Sequence, residues 1–209
     1  MVTNPELEAV HAEVRVCPLC SLAQTRKLAV PGDGPANAEI MFIGEAPGYW
    51  ENERGLPFVG QAGQLLEELL AGIGMKRTDV FIANVLKCRP PNNRDPLPDE
   101  VAACRPYLDR QLAIINPIVV VTLGRHSSAR FFPPKAMRDM HGKTVKVGGM
   151  TVMPTYHPAA ILRMPGLRKT VDEDFRLLAS LLENGRLERE NSVPPPPPDP
   201  QATQLDLFS

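Results

Sequence analysis

The chain is predicted to be an α/β protein, a three-layer αβα sandwich around a central, mostly parallel four-stranded sheet. Three observations lead there. Ile40-Met41-Phe42-Ile43, Val80-Phe81-Ile82-Ala83-Asn84 and Ile118-Val119-Val120-Val121-Thr122-Leu123 are short, continuous apolar runs, as expected for strands buried on both faces. Segments with helical spacing separate them, which suits parallel crossovers. The 209 residues are 43% hydrophobic, enough for a substantial core.

In chain order, Asn4-Pro5-Glu6-Leu7-Glu8 opens a helix: Asn4 can cap, Pro5 fits the first turn, and the acids complement the dipole. That helix should end near Arg15, before Cys17-Pro18-Leu19-Cys20. After the first strand comes Gly44-Glu45-Ala46-Pro47-Gly48. Leu65, Leu66, Leu69, Leu70 and Ile73 then share one face of a helix over 64–73. Pro98-Asp99-Glu100 starts a helix running to about Ile115, and a short helix is expected over 124–132. Thr144–Val147 and Met150–Met153, joined by Gly148-Gly149, read as a hairpin or a pair of short strands. A last helix is expected from Arg168 to Leu182, with Asn184-Gly185 ending it. The folded domain is therefore set at residues 1–186 and an unfolded Pro-rich tail at 187–209, with no internal repeats.

Lys and Arg total 23 against 24 Asp and Glu, a net charge of -1. Glu188, Glu190, Asp199 and Asp206 outweigh Arg189 in the tail, leaving the body faintly basic. This is not the footprint of a protein that coats long stretches of nucleic acid. No apolar run approaches the ~20 residues that cross a bilayer, and residues 1–6 lack the basic-then-apolar order of a secretory signal. A cytoplasmic monomer without membrane contact is expected.

All four cysteines fall into one frame: Cys17-x2-Cys20, Cys88 and Cys104. Disulfides are uncommon in a reducing compartment, and a CxxC beside proline is a tight turn that aims two sulfurs at one point. Four thiolates satisfy either zinc or an iron–sulfur cluster, and spacing does not separate them. Either would fasten the Pro-rich loop over 89–98 and the N-terminal helix to the body. Ligands of parallel sheets sit beyond the carboxyl ends of the strands. Here that rule selects Gly44–Gly48, Asn84 and the segment after Met153.

Gly44-Glu45-Ala46-Pro47-Gly48, Leu56-Pro57-Phe58-Val59-Gly60, Asn84 at a strand end and His157-Pro158-Ala159, in that order and with the cysteine frame, resemble a family-4 uracil-DNA glycosylase over about residues 10–183. The resemblance implies a monofunctional enzyme of base-excision repair that flips uracil out of DNA and hydrolyses its N-glycosidic bond, leaving an abasic site. It implies a [4Fe-4S] cluster on Cys17, Cys20, Cys88 and Cys104, in preference to zinc. Gly44 and Ala46 would line the uracil site and Phe58 would stack on the base. Asn84 would donate to uracil O4 and accept from N3–H, a pattern that cytosine reverses. His157 would donate to O2, where negative charge gathers as the bond breaks. Glu45 would position water or stabilise the sugar cation; better-known uracil glycosylases carry an aspartate one position later, where this chain has Ala46. Gly48 stands where those enzymes place a thymine-blocking tyrosine. Leu162 with Arg163 would wedge into the duplex, and backbone amides near Gly60 and Gly63 would hold a phosphate. His126 and His141 are assigned to surface or structural positions.

The rival readings are a non-catalytic zinc or iron–sulfur protein and a glycosylase that traps the sugar covalently through a histidine. The trapping relatives lack the third cysteine. This chain has Cys88, and no histidine lies between Asn84 and Cys104. No lysine sits in these motifs to form a Schiff base, so strand cleavage is not expected. In the tail, Gln204-Leu205-Asp206-Leu207-Phe208 resembles the short peptide by which bacterial repair proteins dock on the DNA sliding clamp. The stiff Pro194–Pro198 run would help residues 187–203 span up to roughly 50 Å, raising the enzyme's concentration near replicating DNA.

Overall fold

The strands form where the apolar runs predict, and they are buried on both faces. A computed structural model describes residues 4–192. Strands β1 (Ile40–Gly44), β2 (Phe81–Asn84) and β3 (Val119–Leu123) are buried along their whole length. Two more follow, β4 (Val145–Val147) and β5 (Met150–Thr155). The sheet has five strands in the order β2-β1-β3-β5-β4. Strands β2, β1, β3 and β5 are parallel, and β4 is an antiparallel edge hairpinned to β5. The expected four-stranded count is thus one short. The difference is β4, whose three residues are only half-covered because an edge strand packs on one side.

The helices, in order, are α1 (Pro5–Val16), α2 (Leu22–Thr25), α3 (Tyr49–Arg54), α4 (Gln61–Ala71), α5 (Pro98–Ile115), α6 (Arg125–Ser128), α7 (Met137–Met140), α8 (Pro158–Arg163) and α9 (Arg168–Ser192). Asn4 caps α1 by accepting from the amides of Glu6 and Leu7 at 2.9 and 3.1 Å. One face of the sheet (Phe42, Ile82, Val121) packs on Leu66, Leu69 and Leu70 of α4 and on Val171, Phe175 and Leu178 of α9. The other face (Met41, Ile43, Phe81, Val120) packs on Leu7 of α1 and on Leu108, Leu112 and Ile115 of α5. This gives the three layers.

Two helix boundaries differ from expectation. Only Arg125–Ser128 of the 124–132 segment is α-helical. The last helix does not end at Asn184-Gly185 but continues to Ser192, past the 186/187 boundary. Gly185 is buried, and a Cβ there would collide with the Ile118 side chain. It is a close-packing glycine inside a helix, not a terminator. No helix among the described residues is long and apolar enough to cross a membrane. The Gln204–Phe208 peptide lies outside the described residues.

Candidate active site

The parallel register sets Gly44, at the end of β1, beside Asn84, at the end of β2. Asn84 opens onto a cleft of about 690 Å³ at the carboxyl ends of the strands, lined also by Glu45, Ala46, Gly48, Phe58, His157 and Arg163. Gly44 is where close approach excludes a side chain. A Cβ there would overlap Asn84 Oδ1 and the Phe58 ring. Asn84 is buried, and its Oδ1 has no hydrogen-bond partner. An orphaned buried acceptor costs about 1–3 kcal/mol, so it is a feature to be explained by a ligand.

Phe58 forms the opposite wall. It is 5% exposed, and its ring lies 5.4 Å from the His157 ring at 28° between planes. Its φ of 51° is a left-handed conformation that a bulky residue rarely adopts. Arg77 holds the turn, donating to the Phe58 carbonyl at 2.9 Å and the Pro57 carbonyl at 2.5 Å. Gly63 lies directly under the Phe58 carbonyl, where a Cβ would not fit.

His157 is the N-cap of α8, with Pro158 in the first turn. Its Nδ1 accepts from the Ala159 amide at 3.1 Å. That bond fixes the neutral tautomer and leaves the proton on Nε2, toward the cleft. Burial pushes the ring's pKa down to about 4, with Arg163 adding to the effect and Glu51 opposing it. His157 is therefore a neutral hydrogen-bond donor at physiological pH.

Glu45 is half-buried at the rim, and burial raises its carboxyl above the usual range, countered by His126. His126 Nε2 stands 3.8 Å from Glu45 and 3.5 Å from Asp95. Arg125 pairs with Asp95 and donates to His126 Nε2 at 3.1 Å. Asp95 belongs to the Pro-rich loop. Nearby, Arg94 in that loop binds the fully buried Glu100 at 2.5 Å. His126 is thus a rim residue that a lone histidine in sequence does not advertise. His141 pairs with Asp174 at 3.1 Å, and Thr155 also donates to Asp174, at 2.6 Å, joining β5 to α9.

The amides of Gly60 and Gly63 are not open to a phosphate. Gly60 donates to Glu51 Oε1 at 3.0 Å, and Gly63 donates to the Gly60 carbonyl at 2.9 Å. Val59 and Gly48 also donate to Glu51, at 2.9 and 3.1 Å. An internal carboxylate fills the place expected for an external anion, at the start of α4. Within Tyr49-Trp50-Glu51-Asn52-Glu53-Arg54, nothing in the sequence distinguishes Glu51 from a solvated acid. Leu162 is 48% exposed on α8, and Arg163 donates to the Ala159 carbonyl at 3.2 Å beside the cleft.

The cysteines gather behind Ala46 of the Gly44–Gly48 loop. Cys17, Cys88 and Cys104 are buried with Val10, Val14, Leu22, Leu86 and Tyr107, and Cys20 and Ala46 pack against them. None of the four is in a disulfide. Arg26 donates to Cys88 Sγ at 3.3 Å and to the Cys17 carbonyl at 2.7 Å. Burial pushes the Cys88 thiol up and the Cys104 thiol up to about 11.

The family model of the Uracil DNA glycosylase superfamily matches residues 31–179, which span the whole sheet and every cleft residue described above. The chain belongs to that superfamily. A type-4 uracil-DNA glycosylase from Sulfurisphaera tokodaii is 50% identical over 187 residues, 84% of each chain. Another from Thermotoga maritima is 43% identical over 189 residues, 88% of this chain and 98% of the relative. A type-5 uracil-DNA glycosylase from Pyrobaculum aerophilum is 32% identical over 150 residues, 63% of this chain. Within the superfamily the chain is therefore a type-4 member.

Proposed function

We propose that this enzyme draws deoxyuridine out of DNA into the cleft and hydrolyses its N-glycosidic bond. Uracil leaves, and an abasic site remains in an uncut strand. Such enzymes must take the base out of the stack to reach the bond. The observation that carries the reading is the buried, unpartnered Asn84 Oδ1 between Gly44 and Phe58. An acceptor left open there calls for a ligand N–H, and uracil supplies one at N3 while its O4 takes the amide's own N–H. Cytosine offers an acceptor at N3 and a donor at C4, so it would leave two buried groups mispaired.

In the reaction the C1′–N1 bond breaks with its electron pair going to the base, and charge builds at O2. The Nε2–H of neutral His157 stabilises that oxygen, because an aimed donor in a site shielded from water acts without reorganising. Water adds at C1′ and gives up a proton, for which the Glu45 carboxylate at the rim is the nearest base in the first-strand loop. Phe58, packed against Gly44, offers an aromatic face for the ring to stack on. Leu162 and Arg163 would take the space vacated in the duplex.

The four cysteines would hold a [4Fe-4S] cluster. Four sulfurs around one tetrahedral zinc lie ~3.8 Å apart, given ~2.3 Å bonds. Among the described residues, no three of these sulfurs lie within 4.8 Å of one another. A cluster that takes one cysteine per iron suits wider spacing. Its contribution is structural, tying α1, the end of β2 and α5 together behind the Gly44–Gly48 loop. Gln204–Phe208 would dock on the bacterial sliding clamp, placing the enzyme at the nucleoid.

The test is to incubate the purified protein with a single-uracil oligonucleotide and measure released base by chromatography. Free uracil with an intact, alkali-labile strand is expected. No uracil from either single- or double-stranded substrate would refute the proposal.

A further inference from the structure

On the cleft's rim, the short helix α3 carries two large aromatic side chains that the fold does not use. Tyr49 and Trp50 are 51% and 54% exposed, and their rings meet edge to face at 5.1 Å. They lie between Gly48 and Glu51, both of which line the cleft. Trp50 is also next to Gly60, whose Cβ, if present, would sit 3.5 Å from the indole. Each ring is attended by a guanidinium: Arg54 stands 5.7 Å from the Trp50 ring centre and Arg89 stands 5.4 Å from that of Tyr49. Arg89 is held by Asn93, a cleft-lining residue, at 2.8 Å. Among the described residues neither guanidinium pairs with a carboxylate.

Two adjacent exposed indole and phenol rings bury no apolar core and stabilise nothing visible in the fold. Aromatic faces flanked by unpaired arginines suit a strand of nucleic acid, with bases on the rings and phosphates on the cations. We infer that Tyr49 and Trp50, with Arg54 and Arg89, form a stacking platform for an unpaired nucleotide adjoining the extruded uridine. The inference rests on the cleft being the uracil pocket, since only a nucleotide already anchored there brings its neighbour to this edge. It also assigns a preference. A base paired in a duplex cannot lie flat on a protein ring, so the platform serves single strands, or the looped-out part of a duplex.

Trp50 is the one tryptophan of the chain, so its fluorescence reports on the platform alone. The probe is a single-stranded 15-mer with central 2′-fluoro-deoxyuridine, whose electron-poor sugar resists cleavage, titrated into the full-length protein. Emission should be quenched on saturation, and much less so when the flanking nucleotides are abasic spacers. With an ordinary uracil 15-mer, Trp50→Ala should raise KM roughly 5- to 100-fold with kcat within about twofold. Trp50→Phe should restore most of the loss, and the defect should shrink on duplex substrate. Unchanged emission at saturating DNA, while uracil is still released, would overturn the platform and leave the pocket reading standing. Quenching without uracil release from any substrate would overturn the pocket reading instead. A defect equal on single strands and duplex would contradict the unpaired-base assignment.

Discussion

The two neighbourhoods that meet at the Gly44–Gly48 loop, the cleft and the cysteine cluster, treat polar groups differently. On the cysteine side the chain satisfies most of them internally, His11 Nε2 on α1 being an exception. Lys87, fully buried, donates to Gln111 at 2.7 Å, and Gln111 donates onward to the Pro31 carbonyl at 2.8 Å. Arg26 closes on Cys17 and Cys88 in the same manner. On the cleft side the chain stops short. Asn84 Oδ1 has no partner, His157 presents Nε2 outward after spending Nδ1 on its own helix, and Phe58 is kept in a strained backbone conformation. Internal satisfaction makes a rigid support, and deliberate omission makes a site, because an unmade bond is regained only from a ligand. Ala46, which lines the cleft and packs on the cysteine cluster, is where the two meet.

The sharpest way to break this contrast is on the cleft side. His157→Ala should lower kcat by about 100- to 1,000-fold, as loss of a single oxyanion donor does elsewhere, with a much smaller change in DNA affinity. Equal losses in both, measured by single-turnover kinetics and binding anisotropy, would mean that His157 holds DNA and not the departing base. Removing a sulfur should do the reverse. Cys88→Ala should lower Tm by roughly 10 °C and bleach visible absorption in anaerobically purified protein, yet leave the preference for uracil over cytosine unchanged. A variant that kept its stability but lost its base preference would reverse the assigned roles of the two regions.

A smaller effect comes from pH. His157 remains neutral down to about pH 4, so its charge does not change between pH 7 and 5. Glu45 is pushed upward by burial, so as pH falls it protonates before an ordinary glutamate would. If its carboxylate takes the water's proton, kcat declines on the acid side through that raised pKa, and Glu45→Gln flattens the limb at a lower rate. An unchanged acid limb in Glu45→Gln would remove Glu45 from the chemistry and leave it as a brace for the loop.

Much of this was legible in the sequence because it rests on local rules. Apolar runs place the strands, Asn4-Pro5 starts α1, and residues at strand ends mark the site. What was not legible depends on long-range approach. Gly185 looks like a helix stop and is a contact with Ile118, 67 positions earlier. Gly60 and Gly63 look like an anion cradle, but Glu51 has already filled it. His126, in α6, and Asp95, in the Pro-rich loop, come to Glu45 from separate segments, so no spacing connects them. The edge strand β4 was visible only as half of a hairpin, since three half-exposed residues carry little pattern.

The central claim is that the open Asn84 amide reads the base edge, and it is tested most directly by Asn84→Asp. Cytosine- and uracil-containing oligonucleotides, otherwise identical, would be incubated with both proteins and the freed bases quantified. A protonated carboxyl can donate to cytosine N3 while its carbonyl accepts from the exocyclic amine, so the variant should gain measurable cytosine release and lose most of its uracil activity. Continued rejection of cytosine with uracil release undiminished would show that Asn84 does not touch the base, contradicting the account.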